Sequence, residues 1–594
     1  MKQNKYGAWA IGAWMLLLTA VSCTDSYEGT PVNMFTEDYL FSRTDSNGVV
    51  ARQFLNRIYW YMRNGHNGVN GDYLDAASDD ALSVNSGDPD VYKLAVGRYS
   101  ASSTIPSDMI WTDPYGLIRR VNILLNGIDV VPFNTTYIDA LGNARPLNVS
   151  MKAEARFLRA YFYFELMKRY GGIPIIGDKV YDLNENIELP RSTFEQTVKY
   201  IVSELDAIKD DLRSLPLPDA AANAHVVTTQ AAQALKIRVL LYAASPLFNE
   251  KPVESGNELV GYATYDRERW KTAADAARSF MNAYGTDGGP LGLDPNFKDV
   301  FTNWYDNTIH KEMIFFREND SNTSIETANG PLGLSGAKQG NGRTNPTQNL
   351  VDAFLMKDGY FINEEGSAYE YDPQHPYDNR DPRLEYTIIH NGTNWLNNTM
   401  QTWQGGANNP LGSSYSLTSY YMRKFMGNFE SGSEYQATLH NWVMFRYAEI
   451  LLNFAEAENE LNCPTDECIK ALNRVRERSN ARTLLQGEAG RTDNKENMRQ
   501  LLFREQTREL CFEVPRHMEL RRRGEQFYFD RIRMLYDQTA PENPNCGASS
   551  ATVGYERSDV RSVPAYNISE RNLYLPIPQC ELSTNTICKQ NERW

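Results

Sequence analysis

The sequence has few of the residues that bind transition metals. Seven cysteines and seven histidines are spread over 594 residues, and no two histidines have the HExxH spacing of a zinc hydrolase. Cys463 and Cys468 enclose four residues, but the companion pair that a structural zinc site requires is absent. We therefore expect no metal and no cofactor. Six cysteines follow residue 23, and the sequence does not choose among their possible disulfide pairings.

The chain also lacks an excess of positive charge and, beyond its N-terminus, any long apolar run. Its formal net charge is -15, which repels phosphate groups, so nucleic acid is not an expected partner. No later stretch has the roughly 20 consecutive apolar residues that a membrane-spanning helix needs. Hydrophobic residues nevertheless make up 41% of the chain, which is ample for a packed core.

Residues 1–22 have the pattern of a secretory signal peptide. Lys2 and Lys5 precede an apolar run, and small residues follow it directly before Cys23. The tetrapeptide that ends at Cys23 is similar to a bacterial lipobox, so we predict lipid attachment to this sulfur. An ordinary exported protein with a spare cysteine is the alternative. Residues 23–40 are polar and irregular, as a lipidated tether would be.

Helical periodicity dominates residues 41–284. Phe157, Tyr161 and Phe164 recur at three- and four-residue steps within one such pattern. Successive helix starts lie roughly 35 to 42 residues apart, with alanine at the contact positions, which is typical of tetratricopeptide-like helix pairs. The predicted fold is therefore mostly α, with tetratricopeptide-like helical repeats.

Residues 285–440 differ from the helical regions on both sides. Glycine, asparagine, proline and tyrosine become frequent, and long periodicities disappear. We interpret this segment as a long, irregular, loop-rich insertion and as the candidate ligand region. Helical patterns return in residues 441–594, where they can pack back on the first set.

Paired carboxylates raise the possibility of a glycoside hydrolase, because that chemistry needs two of them across one bond. Glu505, Glu509 and Glu513 run at four-residue steps, but arginines are interleaved with them. Ion pairs explain such acids without catalysis. The segment "NRDPRL" (379–384) is interpreted in the same way, as a buried corner of paired charges.

Loop aromatics with polar neighbours are the better candidates for a site, because a sugar ring offers an apolar face and a rim of hydroxyls. Asn, Gln or Thr flank the rings of Trp304, Tyr305, Trp395 and Trp403. Each tryptophan can equally fill a small core of the insertion itself. That these sites line one groove is a hypothesis.

Several stretches in a fixed order resemble the SusD/RagB family of surface nutrient-binding lipoproteins. They are "AEARFLRAYFYFELMKRYGGIPI" (153–175), "TTQAAQALKIRVLLYAASPLFN" (228–249), "NPTQNLVDAFLMKDG" (345–359), "NRDPRLEYTII" (379–389), "FRYAEILLNFAEAENE" (445–460), "REQTRELCFEVPRHMELRRRG" (504–524) and "LYLPIPQCEL" (573–582). The resemblance therefore covers nearly the whole chain.

The resemblance implies a mostly helical fold with about four tetratricopeptide-like units, attachment to the outer membrane through Cys23, and a SusC-like TonB-dependent transporter as partner. It also implies that ligand contacts occur in an early loop, which makes Arg98 and Tyr99 further candidates. We accordingly predict a cell-surface lipoprotein that binds an oligosaccharide or polysaccharide without cleaving it and delivers it to that transporter. A peptide-binding uptake lipoprotein and a surface glycan hydrolase are the alternatives.

Overall fold

The structure is a computed structural model. It describes residues 37–85, 89–105, 107–182, 185–217, 224–250, 256–302, 304, 310–403, 405–410, 415–514, 516–524 and 568–594, and the backbone of 544–550 and 554–559. The predicted signal peptide, Cys23 and most of the tether lie outside these residues, as does Tyr305.

Helices make up most of the regular structure of the described chain. The α-helices are α1 (Glu37–Leu40), α2 (Val49–Trp60), α3 (Asp90–Ala95), α4 (Thr112–Gly127), α5 (Leu147–Tyr170), α6 (Phe194–Ile208), α7 (Thr229–Ala244), α8 (Pro246–Asn249), α9 (Glu268–Tyr284), α10 (Asp299–Thr302), α11 (Ser324–Asn329), α12 (Gln348–Ala353), α13 (Arg383–Thr387), α14 (Tyr447–Asn462), α15 (Asp466–Arg478), α16 (Lys495–Leu510), α17 (Arg516–Arg522) and α18 (Gln579–Thr584). Short 3₁₀ helices cover Leu74–Ala77, Ile128–Val130, Gly336–Lys338 and Glu570–Leu573.

The long helices pack against one another in chain order. Helix α2 contacts α4, α4 contacts α5, α5 contacts α6, α6 contacts α7 and α7 contacts α9. Helix α9 then packs on α14, which in turn contacts α15 and α16, so the C-terminal helices close onto the first set. We refer to this series as the helical array. The mostly helical prediction is confirmed, and the division into tetratricopeptide-like units stays a prediction.

Local sequence explains where two of these helices begin and end. Helix α5 ends at Tyr170 because Gly171 adopts φ 80°, in the left-handed region that favours glycine. Helix α6 begins with a capping box formed by Thr193 and Gln196. The sequence pattern also fits a box from Ser192 to Glu195, one residue earlier, and the hydrogen bonds place it on the later pair.

Short antiparallel strand pairs tie the insertion to the array. Strands β1 (Ala81–Ser83), β4 (Met313–Arg317), β5 (Thr344–Pro346) and β10 (Trp442–Arg446) form the pairs β1–β5 and β4–β10. The remaining pairs are β2 (Thr136–Ile138) with β3 (Ala144–Pro146), β6 (Ile388–Ile389) with β9 (Tyr421–Met422), β7 (Asn394–Trp395) with β8 (Asn398–Thr399), and β11 (Pro544–Ser550) with β12 (Gly554–Asp559). Strand β10 leads directly into α14, so the pair β4–β10 joins the insertion to the array.

A buried network of arginines and glutamates joins the insertion to α16. Arg383 Nη1 lies 2.8 Å from Glu505 and 2.7 Å from Glu509. Arg446 Nη1 lies 2.6 Å from both Glu509 and Glu312. All five side chains are buried, so the carboxylates that the sequence left open to a catalytic interpretation are held in structural ion pairs.

The electrostatics of Glu505 show how strongly the network holds its charges. Burial alone would raise the pKa of this carboxyl, but the guanidinium groups of Arg508 and Arg383 outweigh it and lower the pKa to about 2. The carboxylate therefore stays ionised at neutral pH inside the core.

The cysteines and the helices of the described part carry no sign of a metal site or a membrane span. The five cysteines whose side chains are described are free thiols: Cys463, Cys468, Cys511, Cys580 and Cys588. Within the described residues, no three Cys, His, Asp or Glu side chains form a group that could hold a metal ion. None of the described helices combines the length and the apolar character needed to cross a bilayer.

Candidate functional site

A groove of about 500 Å³ opens in the insertion, next to the start of β10. Most of its lining comes from one continuous segment that follows β9. The lining residues are Phe301, Thr302, Phe425, Gly427, Asn428, Phe429, Gly432, Ser433, Glu434, Gln436, Thr438, Leu439 and His440. Its volume is within the usual range of small-molecule sites.

The floor of the groove is aromatic. Phe301, Phe425 and Phe429 are all buried, and the rings of Phe301 and Phe425 meet edge to face at 5.3 Å. Phe425 has φ 73°, a conformation that bulky residues rarely adopt. Stacking on Tyr73, with 6.0 Å between the ring centres, helps to hold it there. The floor is thus a fixed apolar surface.

The rim of the groove is polar and exposed. Asn428, Ser433, Glu434 and Gln436 all face solvent, and Gln436 Nε2 donates a hydrogen bond of 3.0 Å to Glu434 Oε1. Amide, hydroxyl and carboxylate groups supply both donors and acceptors. A ligand with an apolar face and a polar edge would meet complementary groups on both sides.

His440 closes the buried end of the groove. Its Nε2 lies 3.0 Å from Glu326 Oε2 and 3.0 Å from Thr438 Oγ1. The Glu326 carboxylate accepts a hydrogen bond from Nε2, so this nitrogen carries a proton. Nδ1 is buried and has no hydrogen-bond partner among the described residues. A ligand hydroxyl at this end of the groove would supply that partner.

Two of the tryptophans predicted to bind ligand are buried. Trp395 is 0% exposed, its Nε1 donates a hydrogen bond of 3.0 Å to Tyr435, and its ring packs edge-on against Phe429 at 5.9 Å. Through Phe429 it supports the groove floor on the side away from the groove. Trp304 is 5% exposed and packs against Phe316. Neither ring is among the residues that line the groove.

The other predicted residues are scattered. Trp403 is half-buried, and its carbonyl accepts a hydrogen bond from Gly406. Tyr99 is buried and stacks on Trp594 at 5.3 Å, so its contacts are with the C-terminal segment, while the neighbouring Arg98 is exposed. The structure thus places Trp395 behind the groove floor and Tyr99 against a different part of the chain.

Sequence reasoning missed the residues that line the groove. It considered loop tryptophans and tyrosines, whereas Phe429 supplies part of the floor and Gln436 part of the rim. The segment "GNFESGSEYQ" (427–436) has the same arrangement of an aromatic ring among small polar residues, and that signal could have identified it.

An exposed aromatic pair at the end of α2 was also missed. Trp60 is 54% exposed and Tyr61 is 39% exposed, and the Arg57 guanidinium lies within 5.2 Å of both ring centres. The buried face of α2 includes Leu55 and Ile58, and helical spacing from these residues places Trp60 and Tyr61 on the opposite side.

The groove does not present the acids of a glycoside hydrolase within the described part of the chain. Glu434 is the one carboxylate among the described residues that line it, whereas glycoside hydrolysis needs two across the scissile bond. Glu326, next to the groove, is already engaged by His440 and by the backbone N–H of Gly427 at 3.1 Å.

Comparison with known proteins places the chain in a family. A model described as the SusD family matches residues 311–594, and a second, described as starch-binding associating with outer membrane, matches residues 35–241. SusD-like protein P25 of Formosa agariphila is 23% identical over 542 residues, which cover 86% of this chain and 88% of the relative.

Solved structures show the same fold. A SusD-like carbohydrate-binding protein of Bacteroides fragilis superposes with a TM-score of 0.69 at 22% identity, covering 92% of this chain and 99% of that protein. Surface glycan-binding protein A of Bacteroides uniformis superposes with a TM-score of 0.60 at 17% identity, covering 91% and 98%. The chain belongs to the SusD/RagB family of outer-membrane-associated binding proteins, and it is not an enzyme.

Proposed function

We propose that this protein is a cell-surface lipoprotein that captures an oligosaccharide or polysaccharide in the insertion groove, leaves it intact, and delivers it to a SusC-like TonB-dependent transporter. The observation that carries the proposal is the groove itself. Its phenylalanine floor suits the apolar face of a sugar ring, and its amide and hydroxyl rim suits the hydroxyl edge.

The unpartnered Nδ1 of His440 is a second feature that favours a hydroxylated ligand. A buried polar atom without a partner costs about 1–3 kcal/mol, and a sugar hydroxyl that hydrogen-bonds to Nδ1 would remove that cost. The names of the relatives support the same ligand class, because two of the superposed structures are described as carbohydrate-binding and glycan-binding. An affinity between about 1 µM and 1 mM would allow the captured glycan to be released again.

The first test is a binding screen of the soluble protein starting at Thr24. Affinity electrophoresis against plant, host and microbial polysaccharides should show retardation by one glycan class. The variant Gln436→Ala should then weaken binding about tenfold, because it removes a rim amide. Gln486→Ala is the matched control, since Gln486 is an exposed amide in the C-terminal region whose side chain contacts Pro464.

A negative screen would favour the peptide alternative, which a panel of short peptides tests by calorimetry. Turnover of any glycan by the purified protein would overturn the binding-only proposal. Retardation that survives both Gln436→Ala and Asn428→Ala unchanged would show that the groove is not the binding site.

Anchoring and delivery have tests of their own. Cys23→Ser should move the protein from the outer-membrane fraction to the soluble fraction, because it removes the sulfur that would carry the lipid. The wild-type protein should co-purify from detergent-solubilised outer membranes with a TonB-dependent transporter. Unchanged fractionation of Cys23→Ser, or purification of the protein alone, would contradict the respective part of the proposal.

A further inference from the structure

A second pocket lies apart from the insertion groove, between α4, the segment after α5 and the C-terminal helix α18. Its volume is about 480 Å³, and none of its lining residues also lines the groove. Ligand sites of this kind have mostly apolar walls and a few converging polar groups. We call it the α4–α18 pocket.

Aromatic side chains form much of its wall. Trp111, Tyr115 and Tyr181 all line it. The buried Trp111 donates from Nε1 to Glu581 at 3.1 Å, and the half-buried Tyr115 donates to the Pro174 carbonyl at 2.8 Å, so both rings are fixed. Tyr181 is half-buried at the mouth, where the Lys179 ammonium lies 3.9 Å from its ring centre.

One buried polar atom in this pocket has no partner. Asn585 is 3% exposed, and its Nδ2 donates to the Leu189 carbonyl at 2.9 Å and to Glu581 Oε1 at 3.0 Å. Because both of those atoms are acceptors, the amide orientation is settled and Oδ1 is the remaining acceptor. Oδ1 has no hydrogen-bond partner among the described residues.

Donors lie on the other side of the pocket. Arg119 is half-buried, and its Nε donates to the Tyr181 carbonyl at 3.3 Å. No hydrogen bond from its Nη groups is found among the described residues, so these groups can donate to a ligand. The pocket therefore offers apolar rings, a buried acceptor at Asn585 and donors at Arg119 to the same bound molecule.

We infer that the α4–α18 pocket is a second saccharide-binding site, which holds one or two sugar units against Trp111 and Tyr181 while a hydroxyl donates to Asn585 Oδ1. The inference rests on the proposed function, since it assigns the same ligand class to a separate place. A second site of this kind would let one polysaccharide chain engage the protein twice and so raise its effective affinity.

Gly116 is a position at which a larger side chain could block the pocket. It lines the pocket from within α4, and a Cβ added there would meet nothing within 4 Å. Gly116→Trp should therefore fill the cavity without a clash in the helix, whereas Gly116→Ala leaves it open. The two variants differ only in whether the pocket is blocked.

The experiment is isothermal titration of the soluble protein with maltohexaose, laminarihexaose and xylohexaose, in the wild type and in Asn428→Ala/Gln436→Ala. We expect two binding events in the wild type. The rim double variant should weaken one of them, and adding Gly116→Trp should weaken the other at least tenfold, while adding Gly116→Ala should not.

A second variant tests the pocket independently in case Gly116→Trp does not fold. Tyr181→Ala removes an aromatic wall at the pocket mouth and should also weaken the second event, whereas Tyr265→Ala, which removes a 52% exposed tyrosine elsewhere, should not. One binding event that is insensitive to both Gly116→Trp and Tyr181→Ala would overturn the inference and leave the groove proposal standing. No binding of any oligosaccharide or polysaccharide by the wild type would overturn both.

Discussion

The helical array and the insertion are stabilised in different ways. In the array, each long helix buries apolar and alanine-rich faces against the next helix in the chain, as α7 does between α6 and α9. In the insertion, short strands and loops are held by polar contacts to distant residues, such as Arg383 with Glu505 of α16 and Lys424 with Glu513. The array also has buried ion pairs between helices, such as Arg159 of α5 with Glu204 of α6. The two regions therefore differ in that regular apolar spacing specifies the array, whereas the insertion, which lacks it, depends on contacts to distant residues.

This difference bears on where the insertion groove forms. Aromatics on the packed faces of the array, such as Tyr161 and Phe164, are buried in the core, and the α4–α18 pocket combines α4 with residues outside the long helices, such as Tyr181 and Asn585. The insertion instead presents a polar segment, 427–440, over a floor that the core holds in place. Rigid support beneath variable loops is a common arrangement for binding proteins.

The largest expected effect comes from breaking the charge network. Arg446→Ala should lower the free energy of unfolding by about 3–5 kcal/mol, because it leaves Glu312, Glu509 and Glu513 buried without this guanidinium. Chemical denaturation at pH 7 measures the change. Lys199→Ala is the control, since its ion pair with Glu195 is exposed and contributes little.

A change in Arg446→Ala no larger than in Lys199→Ala would contradict the comparison between the two regions. It would mean that apolar contacts alone, such as those of Leu350 and Phe354, hold the insertion in place.

Lowering the pH should reduce the stability that this charge network gives to the folded protein. The pKa of Glu505 is about 2 in the folded protein and near 4.3 in an unfolded chain. Because the folded-state pKa is the lower one, its stabilising contribution is complete above about pH 4.5 and is lost as the pH falls toward 2. The difference amounts to about 3 kcal/mol.

Thermal melts from pH 7 to pH 2 measure this loss. Glu505→Gln should be less stable than the wild type at pH 7, but its stability should fall less between pH 4.5 and pH 2. Parallel declines of the two proteins would show that Glu505 is not the group responsible.

The helical array could be predicted from the sequence because the residues that determine each helix lie close together in the chain. The stripe of α5 and the stop at Gly171 can be read within a few turns of helix. The sequence also indicates that Glu505 and Arg383 take part in ion pairs, because acidic and basic side chains occur together among apolar residues in both segments. Their pairing across 122 residues was not, since nothing local encodes which distant charge meets which.

The groove was only partly predictable for the same reason. That the insertion is the ligand region stays a prediction. Whether Trp395 faces solvent or Tyr435 depends on how β7 packs against the loop after β9, which the local sequence does not reveal. Tryptophan and tyrosine occur both in protein cores and in sugar-binding sites. Residue type alone therefore could not assign Trp304, Trp395 and Tyr99 to either role. Phe429 was overlooked because phenylalanine alone suggests core.

Replacing Trp395 tests its role as the backing of the groove. Trp395→Phe should lower the free energy of unfolding by about 1–2 kcal/mol, because it removes the hydrogen bond to Tyr435 and part of the buried ring. Glycan affinity should change less than threefold, since the indole has no exposed face. Denaturation and calorimetry on the same preparation separate the two effects. A tenfold loss of affinity at unchanged stability would instead place the indole against the ligand.

The smallest effect compares two glycines that have different backbone conformations and open space around an added Cβ. Gly116 lies inside α4 and Gly177 lies in the loop after α5 with φ 67°, and a Cβ at either position meets nothing within 4 Å. Gly116→Ala should therefore raise the free energy of unfolding by about 0.5–1 kcal/mol through helix propensity. Gly177→Ala should lower it by about 1 kcal/mol, because alanine in the left-handed region is strained. If the free energy of unfolding rises in Gly116→Ala and falls in Gly177→Ala, local backbone preference governs both sites, and a sequence can reveal that preference. Equal signs would place the control of both sites in packing that only the folded structure shows.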